Sequence, residues 1–152
     1  MQTLAAMITI QIQTDDFDHN TLYQSLRGQA DCGAIVTFTG LVREFNGESA
    51  LFLEHYPGMT EHSLARIAQD ASQQWPLQKV TIVHRVGELL PAQQIVFVGV
   101  ASAHRHAAFA ACEYIMDMLK TRAPFWKKEG ATWVEAKTRD HIAAKRWMPK
   151  NV

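Results

Sequence analysis

The segment Ile95-Val-Phe-Val-Gly-Val-Ala101, with the helical pattern that follows it, decides the fold class of this chain. Its β-branched and aromatic residues predict a buried strand. After Ser102, the predicted N-cap, apolar residues recur at helical spacing and predict one buried helix face, formed by Ala108, Ala111, Cys112, Ile115, Met118 and Leu119. Pro124 disfavours helical backbone at Ala123, so we expect the helix to end near Arg122. A strand that leads into a long amphipathic helix indicates helices packed on a sheet.

Similar patterns on both sides of this segment extend the prediction to the whole chain. Strands are predicted, from alternation or from β-branched content, at residues 7–13, 33–40, 50–56, 79–86 and 133–136. A short helix is expected to begin among Asp15, Asp16 and Asp18 and to run to Arg27-Gly28. A longer one is expected to be capped by Thr60 and stopped by Pro76. The order βαββαββαβ predicts one α+β domain over residues 1–152, with a mixed or largely antiparallel sheet and flanking helices.

Length and composition exclude several classes of protein. A chain of 152 residues that is 47% hydrophobic and 20% charged is ordinary for a domain with a single core. No stretch approaches the roughly 18 continuous apolar residues of a membrane span. Residues 1–14 lack the basic start and long apolar run of a signal peptide. We therefore expect a cytoplasmic protein that does not bind a membrane.

The cysteines and two strand histidines are expected to be structural. Cys32 and Cys112 are far apart and outside any CxxC pattern, so they predict small buried hydrophobes and not a disulfide or a zinc site. His55 and His84 are lone histidines on predicted strands, where packed histidines are more common than metal ligands. We expect no metal and no cofactor.

The C-terminal third carries an excess of positive charge in a chain whose formal net charge is zero. Lys120 and Lys127 lie on either side of the helix end at Pro124, with Arg122, Phe125 and Trp126 between them. Aromatic walls beside several cations would make a partly dry anion pocket, in which a desolvated lysine could act as a nucleophile or base. The alternative is that these cations only complement the helix dipole.

Three further residues are candidates for the same anion site. His104 and Arg105 begin the long helix, where backbone N–H groups favour anions. Arg43 lies in a glycine-bounded loop after a buried strand. Each could instead be a solvated surface residue, and His104 with Arg105 could simply cap the helix. Residue chemistry therefore predicts a phosphate pocket of Arg43, His104, Arg105, Lys120 and Lys127, but no reaction.

Five ordered blocks resemble the large, catalytic subunit of molybdopterin synthase. They are Val36-Thr-Phe-Thr-Gly-Leu-Val-Arg43, Leu53-Glu-His-Tyr-Pro-Gly-Met-Thr60, His84-Arg-Val-Gly-Glu88, Ser102-Ala-His-Arg105 and Leu119-Lys-Thr-Arg-Ala-Pro-Phe-Trp-Lys-Lys-Glu129. The likeness spans roughly residues 30–147. It implies an α/β hammerhead-type α+β fold and conversion of cyclic pyranopterin monophosphate into molybdopterin. It also implies that each sulfur arrives as a thiocarboxylate on the C-terminal Gly-Gly tail of a small ubiquitin-like partner, within a heterotetramer built on a dimer of large subunits.

The same resemblance implies roles for individual residues. Lys120 and Lys127 match catalytic lysines, and the substrate-binding positions correspond to Leu41, Val42, Arg43, His104, Arg105, Lys120, Lys127, Lys128 and Glu129. The family pattern has a lysine where this chain has Leu41, so any substrate contact there would be through backbone. No cysteine is required, because sulfur arrives on the partner.

Two other classes of protein remain as alternatives. A non-enzymatic module that binds nucleotide or RNA through the basic third would bind generic polyanions with a steep salt dependence. The small charge excess and the lack of an RNA-binding motif count against it, so we expect no nucleic-acid partner. An enzyme with a Schiff-base lysine would be trapped by borohydride with a carbonyl substrate.

Overall fold

The computed structural model describes residues 5–44, 50–129, 132–134, 144 and 147. Within this part of the chain the strands are β1 (Met7–Gln13), β2 (Ala34–Leu41), β3 (Leu51–His55), β4 (Leu77–Arg85), β5 (Gly87–Leu89), β6 (Gln94–Ser102), β7 (Phe125–Glu129) and β8 (Thr132–Val134). The helices are α1 (His19–Leu26), α2 (Met59–Gln74) and α3 (Arg105–Arg122).

Two four-stranded sheets form the framework. In the main sheet, with the order β1-β4-β6-β2, β1 is parallel to β4 and the other pairs are antiparallel. The second sheet, with the order β5-β3-β7-β8, is antiparallel throughout. The predicted α+β class with a mixed, largely antiparallel sheet is confirmed. That residues 1–152 form one domain stays a prediction.

The main sheet is covered on both faces. Helices α2 and α3 bury one face through an apolar cluster that includes Leu64, Ile82 and Ile115. Helix α1 covers the other face, where Leu26 packs with Phe97. A Cβ added to Gly99 would lie 2.4 Å from Leu26 Cδ1, so Leu26 fills space that only a glycine leaves open.

The predicted caps of the two long helices are wrong. The N-cap of α2 is Gly58, whose φ of 86° suits glycine. Its N–H donates to Glu61 Oε2 at 2.6 Å, whereas Thr60 lies inside the first turn. Ser102 ends β6, and the N-cap of α3 is His104, without a side-chain cap bond.

Two strands were not predicted, and two predictions fall at the edge of the described chain. The connection after β4 contains the short strand β5, and the segment after Pro124 forms β7. The strand predicted at residues 133–136 is found as Thr132–Val134, with residues 135 and 136 outside the described residues. The short helix and tail expected at the C-terminus lie outside them too, apart from Ala144 and Trp147.

We expect Leu26→Ala to destabilise the fold by about 2–5 kcal/mol, because the side chain is 1% exposed and its removal leaves a cavity over Gly99. Urea unfolding measures this loss. Tyr23→Ala, on the exposed side of the same helix, should cost less than about 1 kcal/mol. Equal losses in the two variants would contradict the packing of α1 described here.

Candidate functional site

The two candidate lysines lie on either side of a tight corner between α3 and β7. Helix α3 ends at Arg122, as predicted, and the backbone of Ala123 is extended, with φ −86° and ψ 130°. The N–H of Phe125 donates to the carbonyl of Ala123 at 3.0 Å and closes a turn around Pro124. Lys120 is therefore in the last turn of a helix and Lys127 in the middle of a strand.

The side chains of β7 alternate between its two faces. Lys127 pairs with Leu53 and Lys128 with Phe52, so they point to opposite sides of the second sheet. The run from Lys127 to Glu129 was expected to bind substrate together, but a strand spreads it over two faces. Glu129 pairs with Leu51 through its backbone, and its side chain is outside the described set.

The expectation that Phe125 and Trp126 wall one pocket is wrong for the same reason. Phe125 packs against the main core and stacks on the ring of His84, with centroids 4.0 Å apart and planes inclined by 23°. Trp126 is 39% exposed and meets Tyr56 edge-on at 4.2 Å. Adjacent residues in a strand point to opposite faces.

His84 is a packed histidine, as predicted. Its ring is buried, and Nδ1 lies 2.8 Å from the carbonyl oxygen of Arg85. Burial lowers the pKa of His84 to about 4, although the hydrogen bond to Arg85 opposes the shift. The neutral ring therefore donates from Nδ1. His55 is half-buried, with Nε2 3.5 Å from Glu61 Oε1.

The corner is joined to the start of α2 by a hydrogen bond that sequence analysis missed. Thr60 Oγ1 donates to the carbonyl oxygen of Pro124 at 3.0 Å and accepts from the N–H of Tyr56 at 2.9 Å. The two bonded residues Thr60 and Pro124 are 64 positions apart in the chain. No local sequence signal marks such a contact, beyond Thr60 ending one of the five blocks.

The loop that carries Arg43 is anchored by its neighbour Val42. The side chain of Val42 packs with Leu51 and Leu89. Its N–H donates to the carbonyl of Gln93 and its carbonyl accepts from the N–H of Ala92, both at 2.8 Å. Val42 thus supports the loop from inside. Its predicted substrate contact stays a prediction.

The residues on either side of Val42 are accessible. Leu41 ends β2 after a register shift and is 53% exposed. Arg43 follows the strand and is exposed. The exposed position of Leu41 leaves its backbone near the surface, but its predicted role remains untested.

The ends of β6 show which candidate cations share one end of the sheet. Leu41 pairs with Gln94 at the start of β6, and Ala34 pairs with Ser102 at its end. Helix α3 follows Ser102 and packs along β6 and β2, so it runs back toward the end where Arg43 lies. Lys120 and Arg43 are therefore at one end of the sheet.

His104 and Arg105 are at the opposite end. Both are exposed, and Lys120 lies fifteen positions after Arg105 on α3. At about 1.5 Å per residue, the two cations are about 22 Å apart along the helix axis. The prediction that all five cations form one pocket is therefore wrong for a single chain.

Both cysteines pack against apolar clusters. Cys112 is buried on α3, and burial raises its pKa to about 12. Cys32 is half-buried against the cluster under α1.

The described residues contain no group of three or more histidines, cysteines or carboxylates that could hold a metal ion. No helix in this part of the chain is long and apolar enough to cross a membrane.

The neutral state of His84 predicts a pH dependence of stability. The pKa of His84 is lowered in the folded state. Its contribution to the free energy of unfolding is therefore full above the unfolded pKa of 6.5 and is lost as the pH falls toward about 4. Between pH 7 and pH 5 this loss should be about 2 kcal/mol in the free energy of unfolding. Urea titrations at both pH values measure it.

A matched pair of variants isolates the titration of His84. His84→Gln should remove most of this pH dependence, while His62→Gln, at an exposed position on α2, should keep it. If the two variants lose stability equally on acidification, the group responsible is not His84.

Comparisons with known proteins identify the family. The family model for MoaE protein matches residues 12–122. A molybdopterin synthase catalytic subunit from Vibrio cholerae is 53% identical over 145 residues, covering 91% of this chain and 97% of its own. The corresponding subunit from Escherichia coli K12 is 58% identical over 132 residues, covering 82% and 88%.

A solved structure agrees with these relatives. Molybdopterin cofactor biosynthesis protein E from Burkholderia multivorans is 51% identical and matches with a TM-score of 0.82, covering 93% of this chain and 97% of that one. The fold is α+β, and the identity of 51–58% extends over most of the chain. The chain therefore belongs to the family of molybdopterin synthase catalytic subunits.

Proposed function

We propose that this chain converts cyclic pyranopterin monophosphate into molybdopterin, as the catalytic subunit of a cytoplasmic molybdopterin synthase. The two sulfurs come from the C-terminal thiocarboxylate of a small ubiquitin-like partner. Membership of the family supports a sulfurtransferase of molybdenum cofactor biosynthesis. For the site itself, the proposal is carried by the corner at Pro124, which places one lysine on a helix end and another on the adjoining strand.

The proposed chemistry requires cations and not a protein thiol. The thiocarboxylate sulfur bonds to a pterin side-chain carbon as an oxygen substituent leaves that carbon. Water then hydrolyses the acyl–sulfur bond, so that the sulfur stays on the pterin and the partner leaves with a terminal carboxylate. Lys120 contacts the thiocarboxylate and assists this release. Lys127 orients the pterin and stabilises negative charge as it develops. Cys112 does not take part, because a buried thiol with a pKa of about 12 is not a nucleophile near neutral pH.

The remaining candidates bind the substrate in this proposal. Arg43, His104 and Arg105 hold the cyclic phosphate through charge-assisted hydrogen bonds. Leu41 and Val42 contribute through the shape of the loop that carries Arg43. Lys128 would contact a different part of the bound molecules than Lys127, since it is on the other face of β7. Glu129 keeps the substrate-binding role that the resemblance implies.

We further propose that each site is completed by a second copy of the chain. His104 and Arg105 begin α3, whereas Lys120 ends it, about 22 Å away along a rigid helix. A phosphate held by Arg105 cannot place the attached pterin at Lys120 of the same chain. In the proposed two-fold dimer, the start of α3 in one chain lies beside the end of α3 in the other chain. A small partner on each large subunit then gives the heterotetramer.

Lys120→Ala should lower the rate of dithiolene formation by about 10²-fold or more, because no other group would assist acyl release. The assay combines the variant with thiocarboxylated partner and cyclic pterin and measures molybdopterin. Partner affinity, measured by calorimetry, should stay near the wild-type value. Arg66→Ala, an exposed cation on α2, serves as the control. Retained turnover in Lys120→Ala would contradict the assignment.

Mixed dimers test the shared site. Lys120→Ala and Arg105→Ala chains are each expected to be inactive; co-expressed with different tags, they can be purified as heterodimers. If the site is shared between copies, one of its two sites has both Lys120 and Arg105, and about half of the wild-type rate per dimer returns. If each site lies within one chain, neither site is intact and no activity returns.

A further inference from the structure

Thr60 joins the start of α2 to the corner at Pro124, beside the pairing of His55 with Phe125 and the ion pair of Arg122 with Asp70. Its side chain is fully buried, yet its hydroxyl has two well-formed hydrogen bonds. It accepts from the N–H of Tyr56 and donates to the carbonyl oxygen of Pro124. Proline has no N–H, so this carbonyl is the only polar backbone group by which Pro124 can be held. This hydroxyl thus holds the corner at the residue just before the β3–β7 pairing begins at Phe125.

The donor side of this bond is itself fixed. The first turn of α2 is closed by the bond from the Gly58 N–H to Glu61 Oε2 at 2.6 Å. The N–H of Thr60 donates to the carbonyl of Tyr56 at 2.9 Å. Thr60 is β-branched, which restricts its χ1 angle in a helix. The hydroxyl is therefore presented to Pro124 from a rigid support.

The acceptor side carries the two candidate lysines. Lys120 lies four residues before Pro124 and Lys127 three residues after it. Between them, the turn is closed by the bond from the Phe125 N–H to the carbonyl of Ala123. Because β7 is held in its sheet by β3, rotation of this turn would move the end of α3 relative to β7, and with it the placement of one lysine relative to the other.

The stack of Phe125 on His84 does not replace the hydrogen bond. The two rings are 4.0 Å apart, which fixes the distance of β7 from β4. Stacked rings can still slide and rotate against each other at low cost, because dispersion has little directional preference. The hydrogen bond to Pro124 is directional and, together with the pairing of β7 to β3, restricts this freedom at the corner.

We propose that Thr60 is a positioning residue for sulfur transfer, whose hydroxyl holds the Pro124 carbonyl and thereby sets the geometry between Lys120 and Lys127. The inference rests on the proposed function of these lysines. Thr60 itself is fully buried, so in this proposal it acts through the corner and not by contact with the substrate. Displacement of a catalytic group by about 1 Å can cost a reaction about 10²-fold in rate.

A pair of conservative variants tests the role of the hydroxyl. Thr60→Val keeps the shape of the side chain and removes the hydrogen bonds, whereas Thr60→Ser keeps the hydroxyl and loses a methyl group. We expect kcat to fall by about tenfold or more in Thr60→Val, with a smaller change in KM because the phosphate-binding cations are outside the corner. Thr60→Ser should stay close to the wild type. Equal impairment of both variants would overturn the inference, as would wild-type kcat in Thr60→Val.

Loss of stability alone must not be mistaken for loss of positioning. Leu26→Ala destabilises the protein from the opposite face of the main sheet, away from the corner. At a temperature where it and Thr60→Val are both folded, it should keep wild-type kcat. If it loses kcat to the same degree as Thr60→Val, the effect belongs to stability and the inference fails.

A second measurement is independent of activity. Reductive methylation with ¹³C-formaldehyde labels lysines, and Lys120→Arg and Lys127→Arg variants assign the two signals. Thr60→Val should shift these signals while leaving that of Lys79 in place, and Thr60→Ser should shift none. Unchanged signals in Thr60→Val would overturn the inference even if activity fell. If Thr60→Val shifts the lysine signals but the wild-type protein forms no dithiolene, the proposed function is overturned instead.

Thr60→Ala provides the comparison if Thr60→Val does not fold. Removal of the side chain leaves space for a water molecule, which can satisfy the buried backbone groups. That water is not covalently attached to α2, so the corner should remain loose and kcat should fall relative to Thr60→Ser. Equal kcat in these two variants would contradict a positioning role for the hydroxyl.

Discussion

The proline at position 124 is the constraint on which the geometry of the candidate site depends. It ends α3 by disfavouring helical backbone at Ala123, and it offers a carbonyl but no N–H at the corner. The chain turns there within three residues and enters β7. Lys120 and Lys127 thus belong to elements with different directions, a helix in one case and a strand in the other. Two lysines on one helix or on one strand would instead be placed along a single axis.

The length of α3 imposes the second constraint. An α-helix of 18 residues keeps its ends apart whatever the side chains are, so Arg105 and Lys120 cannot approach each other within one chain. Their candidate roles in the same reaction are compatible only if a second copy contributes one of them. In the proposed function, a shared site at a dimer interface would bring these cations around one small anionic substrate.

Much of the fold could be predicted from sequence because its long elements have strong periodic patterns. The helix boundary at Arg122 followed from Pro124 alone, and the strands of the main sheet followed from β-branched segments. Strand β7 was missed because a segment with two lysines and a glutamate has little strand propensity; its pairing with β3 stabilises it. Lys120 and Lys127 could be proposed from sequence because they are cations on either side of Pro124. The bond from Thr60 to Pro124 could not be found, since it joins residues 64 positions apart.

Sulfur chemistry without a reactive cysteine places particular demands on the site. Burial raises the pKa of Cys112 to about 12 and Cys32 packs against a core cluster, so the candidate site is built from cations and the shape of the corner. Cations promote transfer only when they are close to the charge that develops, because electrostatic stabilisation depends on placement. A flexible lysine on a mobile loop would lose much of this effect. Attachment of the corner to α2 by a buried hydroxyl therefore makes physical sense, as does the anchoring of the Arg43 loop through Val42.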